Sequence, residues 1–494
     1  MWSLGGGFEA MTPSRYKWIV VIIAMFTTFI MIDLGMVAVA LARITKHFDV
    51  SLSHTQWIIT GYSLATGMAL PSAGYLADRF GMKRVLLAAC AIYSIFAAAS
   101  GVAQNLDLLI TFRILQGIGN GIITPLTLVL VFRIVPDEER GKFWGIVWGP
   151  SMVVIAMSTF FGGVLTEHVS WRALFYVDVL IGVVPFFLAL VFLREQKFPT
   201  RETFDLPGLA FAAAGFGLLL YALSKAPTDG WGDPLIITTL LGSLASLIIF
   251  VTVALRTRYP IVDLRLFVQR AFVTNNAVIW VSAIGVVGAS FLAPLFMQQL
   301  QGRGPMETGA IMVPGGLAMG ISFAFGGWLY DRWGARYPTA AGALILAIGC
   351  ALFATWEVGT NWWPLTWMYF VQGIGLGLVS VPGVAAVQEV IARDMARANA
   401  LFQSTRVVAS SLAVALLTTW LVERTPVLMD RGQRGLEPGS TAYFVAARDA
   451  GVFTFHEAFL IMATVSFLCI FVALILRSGR PPKLEAGSAP AAEP

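Results

Sequence analysis

Charge is scarce in this sequence. Asp, Glu, Lys and Arg make up 12% of its 494 residues, where a soluble domain carries roughly 25%. So few charges cannot solvate a chain that is 57% hydrophobic, which excludes a water-soluble globule and leaves lipid as the covering solvent. Cysteine is nearly absent: Cys90, Cys350 and Cys469 each fall inside an apolar run, so neither a disulfide framework nor a paired-thiolate metal site is built from them. His47, His54, His168 and His456 are too scattered for ligand spacing, and no metal site is expected. No Gly-x-x-x-x-Gly-Lys-Ser/Thr loop occurs, so ATP is not the energy source within this chain. No acids, histidines and serines converge in the loops, so a membrane enzyme is not expected.

Long apolar runs are what the sequence has in their place. A hydrocarbon core of ~30 Å needs about 20 apolar residues per helix. Fourteen such segments are expected near 18–42, 54–77, 85–103, 107–132, 143–165, 172–193, 206–224, 234–255, 272–296, 307–330, 337–355, 363–389, 399–422 and 456–476. The first is too long for a cleaved signal peptide and lacks a small-residue cleavage site. An even count puts both termini on one side. Twenty-two of the 33 lysines and arginines fall on that side, among them Arg15, Lys17, Lys83 and Arg84, and nine fall on the other. The bias makes both termini cytoplasmic. The net charge of +5 therefore expresses topology, and nucleic acid is not an expected partner.

Two motifs recur about 255 residues apart. AGYLADRFGMKR (73–84) returns as GGWLYDRWGAR (326–336), aligning Asp78 with Asp331 and Arg79 with Arg332. LQGIGNGI (115–122) returns as VQGIGLGL (371–378), aligning Gln116 with Gln372. Such recurrence is the mark of a transporter built from similar halves. Each motif keeps its side of the membrane, so the halves are parallel six-helix bundles with the seventh and eighth segments inserted between them. The fold expected is an all-α polytopic membrane protein. An N-terminal bundle spans 1–193, the linker and inserted helices 194–256, a C-terminal bundle 257–476, and a disordered tail 477–494.

At these residues the chain resembles a major facilitator superfamily (MFS) transporter of the fourteen-helix drug:proton antiporter branch, the EmrB/QacA type. GYLADRFGMKR resembles the superfamily's signature between the second and third helices, and FRILQGIGNG (112–121) its fourth-helix signature. SWRALF (170–175), LFMQQLQGRGPMETGAIMVPGG (295–316), RANALFQSTRVVASS (397–411), FDLPGLAFAAAG (204–215) and GWGDP (230–234) resemble patterns of the branch. The resemblance implies secondary active export of lipophilic small molecules by alternating access. A proton gradient supplies the energy, no cofactor is needed, and the site is the bacterial inner membrane. A narrower exporter or importer of one metabolite, such as a siderophore, amino acid or lipid, is the alternative reading, and a non-transporting sensor or assembly subunit another.

Each motif has a physical use. Gly74 and Gly81 allow close packing and a turn, while Asp78, Arg79 and Arg84 supply charge. The resemblance implies that this set, with Asp331 and Arg332, is a conformational latch; enforcing orientation is the plainer use of its basic residues. Gly117 and Gly121, like Gly373 and Gly377, form small-xxx-small faces on which helices approach closely. Arg113 lies within the fourth segment, and an ionisable group there is a functional candidate unless it snorkels to the interface. Asp33, in TTFIMIDLGMVAVALA, can share its depth. The pair either carries the coupling proton, Asp33 as carrier and Arg113 as tuner, or is a buried structural ion pair. Asp178 is an auxiliary proton or cation candidate, or else hydrated near the outer interface. Arg406 holds backbone carbonyls or touches substrate, and Gln116 and Gln298 are further polar candidates.

The fifth segment departs from the antiporter signature. It keeps Gly145 and the Gly162-Gly163 pair but has Ser158-Thr159 where a Gly-Pro pair is usual. That removes one cause of a kink, while Gly149-Pro150 offers another lower down. The stretch from about 423 to 455 is expected to be the longest external loop, with TAYFVAARDAG either solvated or an interfacial helix. It would offer a docking surface to a periplasmic adaptor protein in a Gram-negative source.

Overall fold

The computed structural model describes residues 13–50, 52–55, 57–132, 135, 140–195, 205–257, 260, 264–382 and 395–476. The tail 477–494 lies outside them. All regular structure among the described residues is helical, as a chain in lipid requires when each backbone polar group must find its partner within its own segment. In chain order the helices are α1 (Pro13–Thr28), α2 (Ile32–Phe48), α3 (Leu52–Thr55), α4 (Trp57–Ala69), α5 (Ser72–Phe80), α6 (Met82–Gly101), α7 (Leu106–Phe132), α8 (Arg140–His168) and α9 (Arg172–Phe192). They continue with α10 (Leu206–Asp229), α11 (Pro234–Arg256), α12 (Arg270–Gln299), α13 (Pro305–Trp333), α14 (Arg336–Phe353), α15 (Trp362–Val379), α16 (Met395–Gln433) and α17 (Thr441–Ala473).

Among the described residues, eleven helices are long and apolar enough to cross a membrane, or twelve if one bent pair counts as a single span. Three of the fourteen expected segments explain the difference. The segment 54–77 breaks at Leu70-Pro71 into α4 and α5, since a proline deprives the helix of a donor and crowds the preceding turn. The segment 143–165 bends by 47° between Ile146–Ile155 and Phe160–His168. The bend falls where Ser158-Thr159 replaces the usual Gly-Pro pair, and not at Pro150. The segment 363–389 is helical from Trp362 to Val379, and residues 383–394 lie outside the described ones. The stretch 423–455 is not a loop: α16 runs 39 residues, about 58 Å at 1.5 Å per residue, and turns at 434–440 into α17. Ser440 Oγ caps α17 by accepting from the Tyr443 N–H at 3.2 Å, and Arg424 ties the two helices with a two-pronged bond to Glu457.

Helices α4 and α6 pack on α7, α9 packs on α6, α2 lies on α8, and α12, α14 and α15 pack with α13, α16 and α17. The two groups meet along α8 and α13, where the glycine pair Gly149 and Gly320 lets the backbones touch. The α10–α11 pair stands apart, its α10 wedged against α4 and α16, with Trp231 donating to Thr419 at 2.8 Å. The glycine faces are backbone contacts. A Cβ on Gly117 or Gly121 would strike the Tyr62 or Thr66 carbonyl on α4, one on Gly373 the Gly315 backbone on α13, and one on Gly377 the Met319 carbonyl at 2.6 Å. Gly162 sits against Met36 of α2 in the same way, at 2.7 Å, while Gly163 meets Met306 at 3.4 Å. Among α12, α14, α15 and α17, the rings of Phe296, Phe353, Trp356, Tyr369, Phe455 and Phe459 fill one continuous aromatic core.

Candidate functional site

A short 3₁₀ turn, Phe29–Met31, interrupts the first span and restarts it as α2, with Asp33 in the new first turn. A carboxylate there meets the positive end of the helix dipole. Asp33, Arg113 and Asp178 are all completely buried. Arg113 Nη1 donates to both oxygens of Asp33 at 2.9 Å and to Gln116 Oε1 at 2.9 Å. Its Nε reaches the Ile58 carbonyl at 3.3 Å. The guanidinium lies over the Tyr62 ring, 4.1 Å from its centre, and faces Phe175 at 5.7 Å, contacts that hold a desolvated cation. Gln116 then donates to Asp178 Oδ2 at 3.4 Å.

The structure thus brings four expected residues, Asp33, Arg113, Gln116 and Asp178, into one cluster drawn from α2, α7 and α9. The hydrated alternative for Asp178 and the snorkelling alternative for Arg113 do not occur. The Asp33 and Asp178 side chains lie close to each other in this cluster. Two neighbouring carboxylates that are both ionised repel and can only accept hydrogen bonds, so burial of the pair favours a proton on one of them. One guanidinium therefore serves two acids, and the arrangement is charge-balanced with a single proton aboard. Arg113 Nη2 and Asp178 Oδ1 have no hydrogen-bond partner among the described residues, so the network keeps a free donor and a free acceptor.

Sequence reasoning missed Tyr62 and Tyr93. Tyr62 lies beside Asp33 and offers its ring to Arg113, and the buried Tyr93 hydroxyl, itself without a partner among the described residues, lies near Asp178. The Gly117 face could have pointed to Tyr62, since it is the α4 residue whose carbonyl that glycine touches.

The other candidates lie apart from this cluster. Gly74 is buried in α5, Arg79 Nη1 reaches the Tyr75 hydroxyl at 3.2 Å, and Asp78 is on α5 with its side chain outside what is described. Gly81 adopts φ +94°, a left-handed turn that favours glycine. Arg332 stacks on Trp328 at 4.0 Å, and Asp331 is half-buried beside it. Gln298 is exposed at the end of α12, while its neighbour Gln301 bridges to the Glu357 carbonyl at 2.9 Å. Arg406 stands half-buried on α16.

Glu195, unremarked in the sequence, organises the turn between α5 and α6. It accepts from the Lys83 N–H at 3.2 Å, pairs with Arg84 at 3.7 Å and covers Gly81. It therefore caps α6 from the end of α9. Removing a cap costs about 1 kcal/mol, so Glu195→Ala should speed hydrogen exchange of the 82–85 amides about fivefold. Exchange mass spectrometry on purified protein checks this, and unchanged protection would show that the contact is not a cap.

No group of three or more His, Cys, Asp or Glu among the described residues could hold a metal ion. The family model described as Major Facilitator Superfamily matches residues 21–414 and 277–493. The "Multidrug transporter protein MdtP" of Bacillus subtilis is 30% identical over 380 residues, 76% of this chain and 69% of that one. The "Multidrug resistance protein B homolog" of Mycobacterium tuberculosis is 28% identical over 426 residues, 85% of this chain and 79% of that one. Among solved structures, the human organic anion transporter MFSD10 (TETRAN) superposes with a TM-score of 0.61 at 12% identity, covering 94% of this chain and 100% of that one. The proton:xylose symporter XylE gives 0.60 at 15% identity, covering 94% and 97%. At such identities these two share the fold.

Proposed function

The chain belongs to the Major Facilitator Superfamily, and from that premise we propose that it is a proton-coupled exporter of lipophilic small molecules in a bacterial inner membrane. The proposal includes the fourteen-span layout of the drug:proton antiporter branch, with two parallel six-helix halves, the α10–α11 pair inserted between them, and both termini in the cytoplasm. The relatives named for multidrug resistance and transport support the class of cargo.

The observation that carries the coupling is the acid pair. Asp33 binds Arg113 directly, Asp178 reaches it through Gln116, and the two acids lie side by side with that one cation. With one proton bound the cluster is neutral and can stay desolvated. Without it, a net negative charge is left in an apolar bundle, which is costly unless water or another cation reaches it. Proton loss therefore favours a rearrangement that opens the cluster, and proton binding favours closure. A transporter whose two access states differ in this way converts proton entry into cargo exit. Gln116 links Arg113 to Asp178, so the guanidinium senses the protonation of both acids. In this reading the turn at Gly74, Asp78, Arg79, Gly81 and Arg84, with Asp331 and Arg332, is the latch between access states.

The test is antiport itself. Protein in liposomes with an imposed pH gradient is offered a panel of amphiphilic compounds while a trapped pH dye is followed. A transported compound should dissipate the gradient saturably. Accumulation that leaves the lumenal pH untouched would sink the proton reading.

A further inference from the structure

We propose that Arg406 is the recognition point for an anionic group on the cargo, a carboxylate, sulfonate or phosphate, so that this transporter selects amphiphilic organic anions. This rests on the export reading above and names its substrate class.

Every other arginine that is buried or half-buried among the described residues has an acceptor. Arg113 has Asp33, Gln116 and the Ile58 carbonyl. Arg172 has the Ala103 carbonyl, Arg303 the Thr360 carbonyl, Arg336 the Leu476 carbonyl and Arg424 the Glu457 carboxylate. Arg406 has none: its Nε is sealed from solvent without a hydrogen-bond partner, and no described acid or carbonyl bonds to it. A guanidinium is always charged and offers five donors in a planar fork. Left unanswered inside an apolar bundle it is expensive, and such a group marks a functional site.

The helix register says where it points. Asn399, two turns before Arg406 on the same face of α16, donates to the Pro125 carbonyl of α7 at 2.8 Å, and there the two helices touch. Counting seven residues away from that contact along each helix reaches Arg406 on α16 and Ile118 on α7, about 10 Å on. At that level Arg406 is half-buried and both Ile118 and Ile114 are exposed. To one side of Arg406, Thr405 bonds to Asn276 of α12 at 3.0 Å. To the other, Val407 abuts Gly67 of α4. Arg406 therefore lies on the face of α16 turned toward α7, and not on a lipid face. The proton cluster is separate: among the described residues no ion pair or hydrogen bond joins Arg406 to Asp33 or Asp178, whose partners are Arg113 and Gln116. An unanswered cation among apolar helices suits a molecule with one anionic group on an apolar body, the guanidinium fork matching two oxygens of that group.

The experiment uses the full chain in lipid nanodiscs and three probes of similar bulk: cholate, its uncharged methyl ester, and tetraphenylphosphonium, all well below micelle-forming concentration. The wild type should bind cholate at least tenfold tighter than the ester and should disfavour the phosphonium. Arg406→Gln should lose at least tenfold for cholate and less than twofold for the ester, with Arg406→Lys in between. Equal affinity of the wild type for acid and ester, absence of saturable cholate binding, or an equal loss of both probes in Arg406→Gln would each overturn the proposal. A charge preference that persists while the pH-dye assay stays flat would remove proton coupling and leave the anion site standing.

Discussion

Asp33→Asn should abolish transport driven by a pH gradient, by at least a hundredfold, while leaving exchange of cargo across the membrane without a gradient. Asparagine has the shape of the carboxylate and its carbonyl can still accept from Arg113, so the bundle keeps its packing. What disappears is the second acid. Arg113 then faces Asp178 alone through Gln116, one cation balances one anion, and no proton is needed for neutrality. The same reasoning makes Asp178→Asn equally damaging, since it leaves Asp33 and Arg113 as a closed ion pair at 2.9 Å. A single-carrier mechanism at Asp33 predicts instead that Asp178→Asn retains gradient dependence. Measuring gradient-driven uptake and gradient-free counterflow on the same vesicles separates the two. Either variant transporting with unaltered gradient dependence would remove that residue from the coupling step.

How much of the site is legible in the sequence depends on what each residue's chemistry forces. Asp33 and Arg113 are charges within apolar runs, and the cost of burying either alone makes a partner at equal depth the natural expectation. Asp178 carries the same chemistry, but depth along a helix does not fix rotation about it, so its side chain could as well have met water. Tyr62 and Tyr93 are invisible there because an aromatic in a membrane span is indistinguishable by type from packing. The Pro71 break is written in the sequence, yet a count of apolar residues runs straight over it. The stretch 423–455 misleads in the opposite sense. Its charges and glycines have a loop's composition, but Arg424 and Glu457 pair between helices rather than facing solvent, and that pairing continues two helices beyond the ~30 Å hydrocarbon thickness. Tyr369 shows where the repeat fails. At the place of Arg113 in the second copy it joins a ring cluster with Phe353 and Trp356, so one bundle carries charge where the other is packed with rings.

Arg113→Leu should be the most destabilising single change in the chain. Leucine fills much of the volume, so the cost is not a cavity. It comes from Asp33 and Asp178, left wholly buried with no cation and with only Gln116 bonded to one of them. Breaking a buried pair by removing one partner costs roughly 3–5 kcal/mol, whereas replacing both partners with well-packed neutral groups is often close to neutral. The double variant Asp33→Asn/Arg113→Leu should therefore recover only part of the stability that Arg113→Leu loses, because Asp178 stays buried without a cation and must keep its proton. It should regain no gradient-driven transport, because neither the tuner nor the second acid returns. Unfolding free energies in mixed micelles for wild type, both single variants and the double close the cycle. A wild-type stability for Arg113→Leu would mean that the acids reach water and that the cluster is not desolvated. Stability restored together with coupling would mean that Asp178 alone carries the proton. The pairing makes stability and coupling separable: the fold needs the charges balanced, and transport needs one more acid than that balance requires.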